Sequence, residues 1–577
     1  MRTTFVSAFM TIYDQPYQNK DLSWRFRHFK KLCQTGIPLA VFCSRDCLDY
    51  FEKEILTIYS NVVLLESLDL KETWTYQTYQ KVVDDGIDVE LPNTRTVEKD
   101  TKEYLLLMNS KTELVVKAVE KNPFQSTHFA WIDFNIFHIF GGKEEYVTNF
   151  LQMLSERTLA DRFLTLPGCW GKDRVLDNYL MNDICWRFCG GFFIGSAERM
   201  REFHQDYIRH FENFLRQKRK LVWEVNFWAY IELHHGLSVI WFQGDHNETI
   251  LEFNAEYMSV KLSNSPSCSR IRYEYPDYGD YIPTSTSYVC HKGNHIINTR
   301  IVNYWLYPNG AYHIKHPQGH IWTRNICSRI DEMSLLPMDY NEIVVKEGEL
   351  QCHGGSIYGL EDIRLYTNAA GELGFIASSI NYSGMGRNRM VRGVYDMDNG
   401  RFRDCVVLIP PDPNSWCEKN WIPLIHKGVE HFIYRWSPFE VGVINKMPYG
   451  EQLVITTRWE HNLPMFSKIR GSTPFIDVED GLLGVVHFSY EGSPRRYFHM
   501  LILLDKDTML PIKYSDYFVF NNVSIEFCIG FMKRSEEYYF WVSNFDRDPE
   551  VICCRGTYVG NLRFPYRPAS LPLPSQK

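Results

Sequence analysis

The feature that most constrains this chain is a change of periodicity near its middle. Up to about residue 253, short apolar runs alternate with stretches whose apolar residues recur at helical spacing. Beyond residue 288 that spacing nearly vanishes and short strand-like runs follow one another between turn signals. The two patterns call for different layer plans, so the chain reads as α/β followed by all-β. At 577 residues it is also too long for one core.

In the first half, Thr4–Ile12, Leu39–Cys43 and Asn61–Leu65 read as strands, and Leu22–Thr35 and Cys47–Tyr59 as helices. Thr112–Asn122 reads as a helix running into the strand His128–Asp133. Ala197–Arg219 is the clearest helix, with Met200, Phe203, Tyr207, Phe211 and Phe214 on one face. This alternation predicts a mostly parallel sheet covered on both sides. Polar Asp84–Asp100 reads as a loop. In the second half, Arg300–Tyr307, Leu373–Ile380, His431–Trp436, Leu483–Tyr490, Phe498–Leu504 and Tyr538–Asn544 read as strands. Turn signals such as Pro308-Asn309-Gly310 and Asp398-Asn399-Gly400 separate them. A stretch of about 280 such residues suits five four-stranded blades. The expected division is 1–255, a linker over 256–287 where Pro, Ser, Tyr and Asp accumulate, and 288–577.

Composition narrows the function classes. A net charge of −8, with no dominant basic block, argues against nucleic acid as the partner. The cluster Arg216 to Lys220 closes a helix, where cations offset the macrodipole. No apolar run approaches the ~18–20 residues of a membrane span. The opening residues lead straight into a strand without the apolar core of a signal peptide. The 15 cysteines, an odd number with no C-x-x-C pair, point away from a disulfide framework and toward a reducing, cytoplasmic setting. Aromatic residues at 15% suit stacking on sugar rings and equally suit sheet cores.

In the first half, the strand Phe129 to Ile132 ends in Asp133, with Asn135 two residues on. Ligands bind beyond the carboxyl ends of strands in open α/β sheets, and hard oxygen ligands suit Mg²⁺ or Mn²⁺ on a diphosphate. Gly190 and Gly191 interrupt a strand where a backbone can approach a sugar closely. His246, after the strand ending at Gln243, could join the metal shell. Glu224 and Asn226 stand among aromatics at a helix start. Glu224 reads either as a base activating the acceptor or as a favourable N-terminal charge.

In the second half, polar clusters interrupt strands at intervals that a propeller would bring to one funnel: Arg300 and Asn303; Glu361, Asp362 and Arg364; Arg387 and Asn388; Lys419; Arg470; His487; and Glu526. Each alone suits a salt bridge or a turn. Together they are costly to assemble without a ligand or network. A positioned carboxylic acid such as Asp362 can move a proton at a sugar oxygen.

Two resemblances rest on these motifs. Residues 122–136, Glu224 to Ala229 and Gly244 to His246 resemble the HtrL/YibB family, which is similar to GT-A glycosyltransferases. That resemblance implies a GT-A-like domain, a nucleotide-sugar donor, a glycan acceptor, and Asp133, Asn135 and His246 at a divalent metal. Asn135 stands where many such enzymes have a second aspartate. Glu361-Asp362-Ile363-Arg364, Lys419, Arg470 to Pro474 and His487 resemble the GH130-type five-bladed β-propeller mannoside phosphorylases and related mannosyltransferases. That implies Asp362 as acid or base, Arg364 steadying it, and Lys419, Arg470 and His487 facing phosphate or a sugar-1-phosphate. Ile363 replaces the usual proline and Asn420 the usual acid, leaving phosphate, water or a sugar hydroxyl open as acceptor. The combined expectation is a bifunctional glycosyltransferase. The alternatives make the second half a phosphorylase, or a glycan-binding module serving the first.

Overall fold

The computed structural model describes residues 3–13, 20–265, 267–384, 386–522 and 524–555. The chain divides into two units at Met258/Ser259.

The first unit is built on a seven-stranded sheet in the order Val62–Ser67, Leu39–Cys43, Thr3–Phe9, His128–Ile132, Phe192–Ser196, Leu164–Gly168, Ile240–Gln243. Phe192–Ser196 runs antiparallel to both its neighbours, and the other pairs are parallel. The central strands are apolar at nearly every position because helices cover both faces. Helix Ala197–Lys218 starts at Ser196, whose side chain accepts from the Arg199 N–H, and ends at Arg219 in the left-handed region. Its buried stripe of Met200, Phe203, Tyr207, Phe211 and Phe214 packs onto the sheet and onto helix Glu224–His235.

Several elements differ from the sequence expectation. The helix expected over Cys47–Tyr59 is a short α-helix, Leu48–Phe51, continued by a π-turn, Glu52–Leu56. Lys102–Asn109 and Glu144–Glu156 are helices that the polar alternation did not signal. The first of these buries Leu105, Leu106 and Leu107 together, so it has no single apolar stripe.

The second unit is strand-rich. Its strands join into a 13-stranded, a seven-stranded, a four-stranded and a two-stranded sheet, within which five mainly antiparallel groups follow one another along the chain. The first is Ile282–His291, Asn294–Val302, Ile321–Arg329 and Asn341–Val345. The second is Glu361–Thr367, Leu373–Ser379, Arg389–Asp396 and Arg401–Val407. The third is Ile422–His426, Val429–Trp436, Phe439–Met447 and Gly450–Trp459. The fourth is centred on Gly481–Tyr490 and Arg496–Leu504. The fifth combines Glu526–Arg534, Glu537–Asn544 and Arg547–Arg555 with Cys268–Arg272 from the start of the unit.

That last pairing corrects the linker expectation. Residues 256–287 carry the strands Ser259–Lys261 and Cys268–Arg272, which complete sheets formed by the C-terminal part. A Cys268–Cys554 disulfide ties the same pair of strands, where the cysteine pattern pointed away from a disulfide framework. The strand expected over Arg300–Tyr307 is broken at Asn303, whose side chain bonds the Trp322 N–H and the His320 carbonyl. No described helix is long and apolar enough to cross a membrane.

Trp228 fills the first unit's core against Phe193 and Phe203, with its indole N–H buried and unpartnered. Trp228→Ala should cost about 3–5 kcal/mol in the urea-unfolding transition of this unit. Trp228→Phe should cost distinctly less, because it keeps most of the ring volume and removes the unpaired donor.

Candidate active sites

The parallel strands of the first unit all deliver their carboxyl ends to one edge of the sheet. There they border a cavity of about 820 Å³, lined in part by Trp24, Tyr104, Trp131, Trp186 and Trp223. At its polar end lies Lys111, the first residue of helix Lys111–Lys121. Its ammonium reaches Asp133 Oδ1 at 3.0 Å, Glu224 Oε1 at 2.9 Å and the Gly190 carbonyl at 2.8 Å. Those three acceptors use all three ammonium donors. Burial pulls the Lys111 pKa down, but Asp133 and Glu224 outweigh it and hold the group above its ordinary value. A cation at a helix N-terminus opposes the macrodipole, so the paired carboxylates keep it there.

Asp133 also accepts from the Trp131 indole at 2.7 Å. Glu224 opens helix Glu224–His235 and is 5% exposed. Gly190 is required by this crowding, since a Cβ there would lie 2.1 Å from Glu224 Oε1. Gly191 accepts the Asp133 N–H at 3.0 Å and lines the same cavity. Asn135 follows, its Oδ1 buried without a hydrogen-bond partner.

Two expected residues sit elsewhere. His246 lines the cavity beside Trp186, but its ligand atom groups with those of Cys169 and Cys189, all within 4.8 Å of one another. Asp133 is not in that group, although it lines the same cavity. Asn226 is fully buried and holds backbone: it donates to the Leu180 and Asp183 carbonyls and accepts from the Cys185 N–H. Every polar atom of its amide is thereby committed, which replaces the expected ligand role with a structural one.

In the second unit, Glu361 and Asp362 begin the strand Glu361–Thr367. Register shifts between Glu361 and Arg364, and Asp362 takes a φ of 53°. Aspartate tolerates that left-handed conformation better than most residues, at a cost of order 1 kcal/mol. The bulge presents both carboxylates to Arg300, whose guanidinium lies 3.4 Å from Glu361 Oε2 and 3.3 Å from Asp362 Oδ1. Burial disfavours the Arg300 charge, yet Tyr304, Glu361, Asp362 and Asp546 more than compensate and raise its pKa. Asp546 accepts from the Tyr304 hydroxyl at 3.0 Å and is itself raised, chiefly by burial. Lys419 faces the same acids: burial works against its charge, and Glu361 and Asp362 hold it raised.

Arg364 lies beneath this cluster, 1% exposed, donating to the Asp362, Gly471 and Ser472 carbonyls and to Asn420 Oδ1. It clamps the Asp362 backbone to the loop carrying Arg470, while burial lowers its pKa to about 10. Arg470 is exposed, with one bond to the Ile469 carbonyl. His487 departs from its expected place against a phosphate as a cation. It is buried, 2.7 Å from Ser472 Oγ, and burial with His499, Arg364 and Arg470 drives its pKa well below the usual histidine value. Asn303 is committed to backbone as described above. Glu526 accepts three backbone N–H groups, from Phe520, Asn521 and Asn522, and burial raises its carboxyl to about 7. It shapes that turn rather than a ligand pocket. Arg387 caps the Pro413 carbonyl beside the exposed Trp416 ring, and Asn388 bridges to Cys417 with its Oδ1 buried and unpartnered.

Lys111 and Asp546 were not singled out from the sequence. A signal for Lys111 was present, because it is in register with Leu114, Val115 and Ala118 on the buried stripe of its helix. Asp546 sits in a turn of the fifth sheet with nothing local to mark it.

Lys111→Met should destabilise the first unit by about 3–5 kcal/mol, because Asp133 and Glu224 are left together without a counter-charge. The native pKa of Lys111 is raised above the unfolded value of 10.5, so its contribution is complete below that pH. It should be lost only as pH rises through the higher folded value, as read by denaturation midpoints across an alkaline series.

Residues 2–221 match the family model described as "Bacterial protein of unknown function (HtrL_YibB)". No curated protein matches the chain. Among solved structures, the C-terminal part is similar to a β-1,2-mannobiose phosphorylase from Listeria innocua. That pair shares 11% identity over 51% of this chain and 98% of the other, with a TM-score of 0.35. A mannose phosphorylase from Leishmania mexicana gives 13% identity over 53% and 95%, with a TM-score of 0.33. A GH130 structure reported with glycoside hydrolases that target β-1,2 mannosidic linkages in Candida mannan gives 11% identity over 51% and 88%, with a TM-score of 0.33.

Proposed function

We propose that this chain is a glycan-building enzyme with one sugar-transfer centre in each unit. The first unit would be a GT-A-like glycosyltransferase using a nucleotide-sugar donor, and the second a five-bladed propeller transferring a mannose-type sugar with inversion. The observation that carries the reading is the buried cation holding a pair of carboxylates in each unit, Lys111 with Asp133 and Glu224, and Arg300 with Glu361 and Asp362.

In the first unit, the aromatic walls suit a nucleoside base and sugar rings. The Lys111 ammonium, 2.9 Å away, fixes the position of the Glu224 carboxylate. Glu224 would take the proton of the acceptor hydroxyl as that oxygen bonds to the anomeric carbon, and the bond from that carbon to the diphosphate would break. Asp133 and Asn135 offer hard oxygens, and the unpartnered Asn135 Oδ1 fits them to a Mn²⁺ or Mg²⁺ ion. Such an ion would supply neutralising charge for the diphosphate.

In the second unit, Asp362 would accept the acceptor's proton as the new glycosidic bond forms and the sugar-1-phosphate bond breaks. Lys419 and Arg470 would receive the departing phosphate. Arg300, 3.3 Å from Asp362 Oδ1, holds that carboxylate in place. Burial of His487 in its neutral form removes one of the cations expected for phosphate.

The test is product analysis of the full chain with UDP-sugars, GDP-mannose and mannose-1-phosphate, using oligosaccharide acceptors. Asp362→Asn should lower turnover of mannose-1-phosphate by about 10²–10⁴-fold and leave nucleotide-sugar turnover intact. Glu224→Gln should do the reverse. Retained turnover in Asp362→Asn, with glycan binding preserved, would leave the second unit a binding module.

A further inference from the structure

We infer that Cys169, Cys189 and His246, with Asp245 beside them, form a site for a soft divalent metal ion, of which zinc is the type, at the edge of the first unit's sheet. This site is separate from the Asp133 and Asn135 oxygens and does not depend on the sugar-transfer reading.

Cys169, Cys189 and His246 bring ligand atoms within 4.8 Å of one another, and Asp245 stands beside two of them. Cys169 Sγ lies 3.6 Å from Cys189 Sγ and 3.4 Å from Asp245 Oδ1, which lies 3.2 Å from His246 Nδ1. A tetrahedral zinc ion, with bonds of ~2.3 Å to sulfur and ~2.0–2.1 Å to nitrogen or oxygen, sets neighbouring ligand atoms ~3.3–3.8 Å apart. The donor set also selects the metal. Two thiols with an imidazole and a carboxylate suit zinc, whereas Mg²⁺ and Mn²⁺ prefer oxygen throughout.

The fold prepares these positions before any ion arrives. Cys169 follows strand Leu164–Gly168, Asp245 and His246 follow Ile240–Gln243, and Cys189 precedes the reversed strand Phe192–Ser196. Because that strand is reversed, its entrance meets the exits of the other two. Backbone bonds lock the meeting: Cys169 N–H to the Trp186 carbonyl at 2.9 Å, Cys189 N–H to the Pro167 carbonyl at 2.7 Å, and Gly244 N–H to the Gly168 carbonyl at 3.0 Å. Gly168 permits this closeness, since a Cβ there would fall 1.9 Å from the Arg187 carbonyl oxygen. Thr249 Oγ1 accepts the Asp245 N–H, and Trp186 packs edge-on to the His246 ring at 4.4 Å. Rigid backbone support of this kind is what a metal site needs.

Two thiolates and an imidazole would hold the ion, with the Asp245 carboxylate next to the fourth position. Each thiol gives up its proton to solvent as a metal–sulfur bond forms, and the ion pins His246 on the cavity wall beside Trp186. The rival fate of the two thiols is a Cys169–Cys189 disulfide, which would require them to close to ~2.05 Å.

The experiment uses the full chain, purified reduced and free of chelator, then dialysed and assayed for bound zinc. One equivalent of zinc per chain should be retained, and Cys169 and Cys189 should be protected from alkylation. Cobalt substitution should give a thiolate-to-cobalt charge-transfer band. Cys169→Ser with Cys189→Ser should abolish retention, and His246→Ala should weaken it by ~10–100-fold or more. Cys290→Ser, an exposed thiol of the second unit, should leave it unchanged. Should the double variant fail to fold, the half-exposed His246 decides the matter. Equal zinc in His246→Ala and the parent, or recovery of a Cys169–Cys189 disulfide peptide from zinc-treated protein, would overturn the proposal.

Discussion

The arrangement of the first unit's site turns on one buried ammonium. Lys111 is 1% exposed at the start of a helix, where the macrodipole disfavours it, and it is tolerable only because Asp133 and Glu224 meet it from two other elements. Those elements are the end of strand His128–Ile132 and the start of helix Glu224–His235. The charge therefore registers one helix against the sheet and a second helix at once. Gly190 is a further consequence, because its carbonyl completes the ammonium and its missing side chain leaves room for Glu224.

The second unit solves a comparable problem with arginine. Arg300 reaches the Glu361 and Asp362 carboxylates from a different strand, a task suited to a planar guanidinium with several donors. Asp362 reaches it only by adopting a left-handed backbone at a bulge. Arg364, two residues on, is spent on carbonyls and holds that bulge to the Gly471 to Ser472 loop. The strand-end polar residues thus separate into those facing a charge cluster, Arg300, Glu361, Asp362 and Lys419, and those bracing the backbone around it, Asn303, Arg364 and Glu526.

Much of this was legible in the chain itself, for identifiable reasons. The stripe from Met200 to Phe214 announced its helix because a covered sheet requires one apolar face. Asp133 was marked by the apolar strand that it ends. The opposite held for Lys102–Asn109, where burial on several sides erased the helical stripe. Asn226 and Glu526 show a different limit. Their residue types fit ligand binding, but a polar side chain next to unpaired backbone groups satisfies those groups first.

The sequence alone determined the two folding regimes, the covered sheet of the first half, the strand-rich second half, the positions of Asp133, Glu361 and Asp362 as acids beside apolar strands, and Glu224 at a helix start. Those are local properties, carried by periodicity and by residues close together in the chain. Only the tertiary structure decided which charges meet: Lys111 with Asp133 and Glu224, Arg300 with Glu361 and Asp362, and Cys169 with Cys189 and His246. It also decided that Cys268–Arg272 completes the last sheet rather than linking two units. Such partnerships join residues tens to hundreds of positions apart, and they are set by strand order, strand direction and the cost of leaving a buried charge alone.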